Sequence, residues 1–180
     1  MEHTASPHII ALVGLPGAGK THFAASFADA FPAPFIDGQA LRIMARNADD
    51  AQLFALSMLK EVMKTKKTAV YGGLVDRRTD REALVRLARQ HGYRVLFVWV
   101  QTDQKISQAR ALKHMSPEEY AQRVKRFSPP HESEPYIVIS GHRATNTQMR
   151  TLLRHLSEQQ SQEAAKQPIV QRPANRIRIG

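Results

Sequence analysis

The chain of 180 residues contains no cysteine. Disulfide frameworks, thiolate nucleophiles, cysteine-ligated zinc and iron–sulfur clusters are therefore excluded, and the absence fits a reducing interior. Long hydrophobic runs are missing too: none approaches the roughly 20 residues that a membrane helix requires. The N-terminal stretch MEHTASPHIIALVG carries Glu2 and His3 where a signal peptide would carry Lys or Arg, and it runs into glycine instead of a cleavage site. Together these absences predict a soluble, cytoplasmic protein without a membrane partner. The 8 histidines show no HExxH or comparable metal-ligand spacing, and there is no internal repeat.

What is present is an ordinary globular composition, 42% hydrophobic and 23% charged. The length suits one domain able to bury roughly two-thirds of its unfolded surface. Acid is the scarce charge, with Asp plus Glu at 16 against Lys plus Arg at 26, a net +10. Such a surface attracts phosphates, whether of nucleotides, nucleic acid or lipid headgroups. Part of the excess lies at the C-terminus, where Lys166, Arg172, Arg176 and Arg178 have no acid among them.

Periodicity predicts strands at His8–Val13, Phe35–Ile36, Thr68–Tyr71, Tyr93–Val100 and Tyr136–Ser140. Helices are expected between them. Thr21–Phe31 buries Phe23, Ala24, Phe27, Ala28 and Phe31, and a short helix spans Leu41–Ala45. Asp49–Lys64 turns Leu53, Leu56, Leu59 and Met63 to one side. Asp80–His91 ends at Gly92, Asp103 caps a helix running to about His114, and Thr145–Gln159 is last. Ser116-Pro117-Glu118-Glu119 is a capping box that opens a helix to about Phe127. Apolar strands alternating with helices imply a parallel sheet covered on both faces, an α/β three-layer fold. Residues 160–180 are expected to form a flexible basic tail, with Ile177-Arg178-Ile179 able to dock as a small edge strand.

Gly14-Leu15-Pro16-Gly17-Ala18-Gly19-Lys20-Thr21 matches the whole G-x-x-x-x-G-K-[ST] pattern, between an apolar strand and an amphipathic helix. Glycines let the backbone curl until successive N–H groups face a phosphate. Lys20 is expected to reach the β- and γ-phosphates, and the Thr21 hydroxyl to hold magnesium. The N-terminus of the helix adds its positive end. The predicted ligands are ATP and Mg2+.

With that loop, the chain resembles the P-loop kinase group that includes polynucleotide kinase, zeta toxins and related small AAA-type ATP-binding domains. The likeness rests on GLPGAGKT, on Gln39-Ala-Leu-Arg42 after the second strand, and on VYGGLVDRRTDREALVRLARQHGY, with Arg81 at the family's arginine. It implies the strand order 2-3-1-4-5, a helical lid over Asp103–Phe127, and residues 1–159 as one ATP-binding, kinase-like domain. It also implies transfer of the ATP γ-phosphate to a hydroxyl acceptor. Two departures stand out. The family's D-x-x-R has Gln39 at its aspartate, while Arg42 matches, and the aspartate ending strand three falls on Gly72. Gln cannot act as a base, so hydroxyl activation should be slowed, although phosphoryl transfer depends mainly on positioning and electrostatics.

Among nearby acids, Asp37 reads equally as a helix cap and as a substitute base, whereas Asp76 reads as a solvated loop acid beside Arg77 and Arg78. Arg110, on the lid, is a candidate for a nucleotide phosphate or adenine. His142, after the fifth strand, sits where related kinases contact the adenine edge. Arg123 and Arg126 form a basic helix face that, like the tail, could meet nucleic acid. Two functions stay open: a polynucleotide-kinase-like phosphotransferase, or a catalytically weakened nucleotide-binding module or slow ATPase. The acceptor is open among small hydroxyl compounds, sugar nucleotides and nucleic-acid 5′ ends.

Overall fold

The computed structural model describes residues 7–166. Five strands form one parallel sheet: β1 (His8–Val13), β2 (Phe35–Ile36), β3 (Ala69–Tyr71), β4 (Arg94–Gln101) and β5 (Tyr136–Ser140), in the order β2-β3-β1-β4-β5. The helices described are α1 (Lys20–Ala30), α2 (Gly38–Met44), α3 (Ala48–Lys64), α4 (Arg78–Gln90), α5 (Gln104–Ala111), α6 (Pro117–Arg126) and α7 (Thr145–Lys166). The expected α/β three-layer architecture and strand order are both present.

β1 is central because all six of its residues are buried, with Ile9 set against Ala69 on one side and Val95 on the other. Successive side chains of a strand point to opposite faces, so β1 serves two cores. Ile9, Ala11 and Val13 join Leu59, Met63, Leu84 and Phe97 under α3 and α4. Ile10 and Leu12 join Phe23, Phe27, Leu96 and Leu152 under α1 and α7. Each such side chain contributes about 1.5–3 kcal/mol on burial. This places the C-terminal ends of β1 and β3 along one edge, where the phosphate loop and the β3–α4 connection emerge.

Two sequence expectations need correction. The buried row of α3 is Ala51, Ala55, Leu59 and Met63, and Leu53 is instead 62% exposed, with Phe54 and Met58 also outward. Alanines carry the row where α3 passes close to α2 and the ends of β2 and β3; periodicity favours the larger leucines and misses this. At the C-terminus, α7 continues past Gln159 to Lys166, since Gln, Glu, Ala and Lys all favour helix. The rest of the expected tail, with Arg172, Arg176 and Arg178 and the Ile177–Ile179 edge strand, lies outside the described residues. Among the described residues no helix is long and apolar enough to cross a membrane, and no group of three or more His, Cys, Asp or Glu is placed to hold a metal ion.

The capping box of α6 is half made. Ser116 Oγ accepts from Glu119 N at 3.2 Å, but the Glu119 carboxylate turns outward to Arg42 and Arg123. Ser116→Ala should cost about 1 kcal/mol, lowering Tm in a thermal scan by about 2–4 °C for a chain of this size.

Candidate active site

The phosphate loop joins β1 to α1 through three left-handed glycines, Gly14 (φ 147), Gly17 (φ 79) and Gly19 (φ 102). Gly17 needs its bareness twice. Its φ disfavours any side chain, and a Cβ there would run into the Ser107 carbonyl of α5. Loop and α5 therefore meet backbone to backbone. Gly19 is the N-cap of α1 and supplies no side-chain acceptor, which leaves the first N–H groups of the helix for an anion.

Lys20 curls back over the loop, its Nζ donating to Gly14 O at 2.6 Å and Leu15 O at 2.9 Å. Burial pushes its pKa down, and the Asp76 carboxylate opposes that shift. Gly14, Pro16, Gly17, Gly19, Lys20 and Thr21 border a cavity of about 680 Å3. Leu15 and Ala18 border a second cavity instead, lined also by Trp99 and Val138. The chemistry of the exposed Thr21 hydroxyl fits magnesium, a hard cation usually held by one or two protein oxygens together with substrate phosphates and water.

Asp37, just before α2, and the α2 residues Gln39 and Arg42 border the same main cavity. Asp37 is the N-cap of α2: its Oδ1 accepts from Gln39 N at 2.9 Å and Ala40 N at 3.3 Å. Arg42 donates to Glu119 Oε1 at 2.8 Å, and Arg123 donates to the same oxygen at 3.0 Å. One carboxylate thus ties α6 to α2 through two arginines that both border the cavity. Arg110 and Arg123 border the cavity, and His142 stands between it and the second one. Arg126 is exposed, yet near enough to Asp76 to lower its pKa.

Asp76 is where the structure departs from expectation. It borders the cavity with Lys20 and is only partly exposed, so it is not a solvated loop acid. Burial holds its carboxyl pKa above the ordinary value, a shift that Lys20, Arg126 and Arg81 oppose and Asp80 reinforces. Behind it lies Arg81, fully buried and bidentate to Glu134, with Nε–Oε1 2.6 Å and Nη2–Oε2 3.0 Å. The same guanidinium donates to the carbonyls of Val75 (3.1 Å), Ser128 (2.9 Å) and Pro129 (3.2 Å). Arg81 does not border the cavity; it clasps the β3–α4 connection to the loop before β5. Glu134 has no local signal in the sequence, because its partner Arg81 lies 53 residues away along the chain.

The glycine pair after β3 is also explained. A Cβ on Gly73 would run into the Tyr71 ring, and one on Gly72 would come within 3.2 Å of Ile36 O and the Phe35 ring. There is little room for the aspartate that the resembling family carries at Gly72.

A family model described as an AAA domain matches residues 9–127, which takes in the phosphate loop, the β3–α4 connection and both lid helices. The chain belongs to the AAA domain family. No curated protein matches it. Among solved structures, this AAA domain is similar to a gluconokinase from Sinorhizobium meliloti 1021, at 18% identity and TM-score 0.66, covering 88% of this chain and 97% of that one. A sugar kinase from Janibacter sp. HTCC2649 aligns at 18% identity and TM-score 0.61, over 85% and 95% of the two chains. Deoxyadenosine kinase from M. mycoides aligns at 14% identity and TM-score 0.55, over 83% and 99%. At these identities the likeness establishes a shared kinase-like P-loop fold.

Proposed function

We propose that this AAA domain is a cytoplasmic, ATP- and magnesium-dependent phosphotransferase that moves the γ-phosphate to a hydroxyl acceptor, in the manner of polynucleotide kinase. The observation that carries the reading is one cavity bordered by the phosphate loop with Lys20, by Arg42, and by two carboxylates, Asp37 and Asp76, the latter close enough to Lys20 to couple with it. Lys20 and the loop N–H groups hold the triphosphate. Thr21 holds magnesium, which when bound neutralises phosphate charge. Arg110 and His142 border the nucleotide side, and Arg42 faces the acceptor. Positioning and electrostatics of this kind supply most of the rate in phosphoryl transfer.

Gln39 and the crowded Gly72 favour a second reading, a nucleotide-binding module or slow ATPase. The two are separated by incubating the protein with γ-labelled ATP, magnesium and three probes: gluconate, deoxyadenosine and a 5′-hydroxyl oligonucleotide. A labelled acceptor is the expected product. Release of inorganic phosphate alone, or nucleotide binding without turnover, supports the second reading. Labelling of the oligonucleotide would direct attention to Arg123 and Arg126 as its contact face.

A further inference from the structure

We propose that Asp76 is the carboxylate that takes the proton from the acceptor hydroxyl, a role for which neither Gln39 nor Asp37 is suited. The inference rests on the phosphotransferase reading above. Gln39 has no basic oxygen to offer. Asp37 is committed to α2, with one carboxylate oxygen holding two backbone N–H groups at 2.9 and 3.3 Å. Asp76 is the other acid bordering the cavity among the described residues.

What distinguishes Asp76 from a mobile loop acid is how its backbone is fixed. Its carbonyl accepts from Ser128 N at 2.9 Å, from Ser128 Oγ at 3.4 Å and from Arg81 Nη1 at 3.4 Å. The preceding carbonyl, of Val75, accepts from the same guanidinium at 3.1 Å. Glu134 holds that guanidinium in a bidentate pair. The backbone side of the connection is thus bound into the fold, while the side chain borders the cavity that contains Lys20. A general base must be held in register with the proton it removes. Asp76 meets that need through a clasp in which Arg81 and Glu134 are positioning residues.

In the transfer step the acceptor oxygen forms a bond to the γ-phosphorus, and the bond from that phosphorus to the β,γ-bridging oxygen breaks. ADP departs with that electron pair, and the hydroxyl proton passes to an Asp76 oxygen. The chain needs no other reactant.

The test compares Asp76→Asn, Asp76→Glu and Asp37→Asn in the full chain, using whichever of the three acceptor probes the wild type labels. Calorimetric ATP affinity and half-saturating magnesium are measured alongside turnover. Asp76→Asn should lower kcat by about 10²–10⁴-fold, with acceptor KM, ATP affinity and magnesium requirement each within about threefold of wild type. Asp76→Glu should recover part of the loss. Asp37→Asn keeps a good cap, since Asn caps as well as Asp, and should lose less than about tenfold. The proposal is overturned if Asp76→Asn loses less than tenfold, if the large loss follows Asp37→Asn, or if excess magnesium restores Asp76→Asn. A wild type that binds ATP yet labels no probe would overturn the phosphotransferase reading itself, and this inference with it.

Discussion

Replacing Arg81 with Met should lower the free energy of unfolding by about 3–5 kcal/mol, the usual cost of breaking a buried ion pair from one side. Arg81 is fully buried and Glu134 is 10% exposed at its side chain, so the orphaned carboxylate would be left with little access to water. The carbonyls of Val75, Ser128 and Pro129 would lose their donor as well. Changing Glu134 to Leu in the same protein should recover part of the loss, because an apolar pair replaces a buried ionic one at little net cost. Equilibrium urea unfolding measures both. The pH dependence carries a second signature. Burial alone would raise the Glu134 pKa, but Arg81 and the His131 N–H outweigh it and hold the carboxyl below its ordinary range. A depressed folded-state value stabilises the fold fully above the unfolded value, about 4.3, and that contribution is lost as pH falls through the folded value. Between about pH 4.3 and lower values the wild type should therefore lose stability faster than Arg81→Met. Equal slopes, or a loss under about 1 kcal/mol, would mean that the clasp does not hold the connection.

The parts of this fold that sequence reveals are those fixed by local chemistry. Glycine spacing before Lys20-Thr21 identifies the loop, and unbroken apolar runs identify buried parallel strands, since a strand covered on both faces has no polar side to show. Asp103 and Ser116 identify helix starts because a cap is a contact within one turn. The clasp is different in kind. Arg81 finds Glu134 only after β4, α5 and α6 have brought the chain back beside α4, so neither residue signals the other along the sequence. The environment of Asp76 follows from that contact, which is why an acid between Val75 and Arg77 reads as solvated until the topology is known. Glu119 makes the same point on a smaller scale: local pattern gives its carboxylate to the capping box, and the fold gives it to Arg42.

Lys20→Ala should weaken ATP binding by about 10- to 150-fold. A charge-assisted contact of this type contributes about 1.5–3 kcal/mol, which corresponds to that range in Kd. The Lys20 ammonium is held by the Gly14 and Leu15 carbonyls, while burial pushes its pKa down. The charge is therefore kept at some cost. Two measurements separate this from general damage to the fold. Without ligand, the Tm of Lys20→Ala should equal or exceed that of the wild type, because a partly buried ammonium has been removed and the loop glycines are untouched. With ATP and magnesium, the rise in Tm that follows RT ln(1 + [L]/Kd) should shrink by about 1.5–3 kcal/mol of stabilisation at ligand concentrations well above both Kd values. Lys20→Arg should recover little, since a planar fork does not replace a compact ammonium inside the arch of the loop. Calorimetry showing the same affinity for Lys20→Ala and wild type would place the triphosphate somewhere other than this loop.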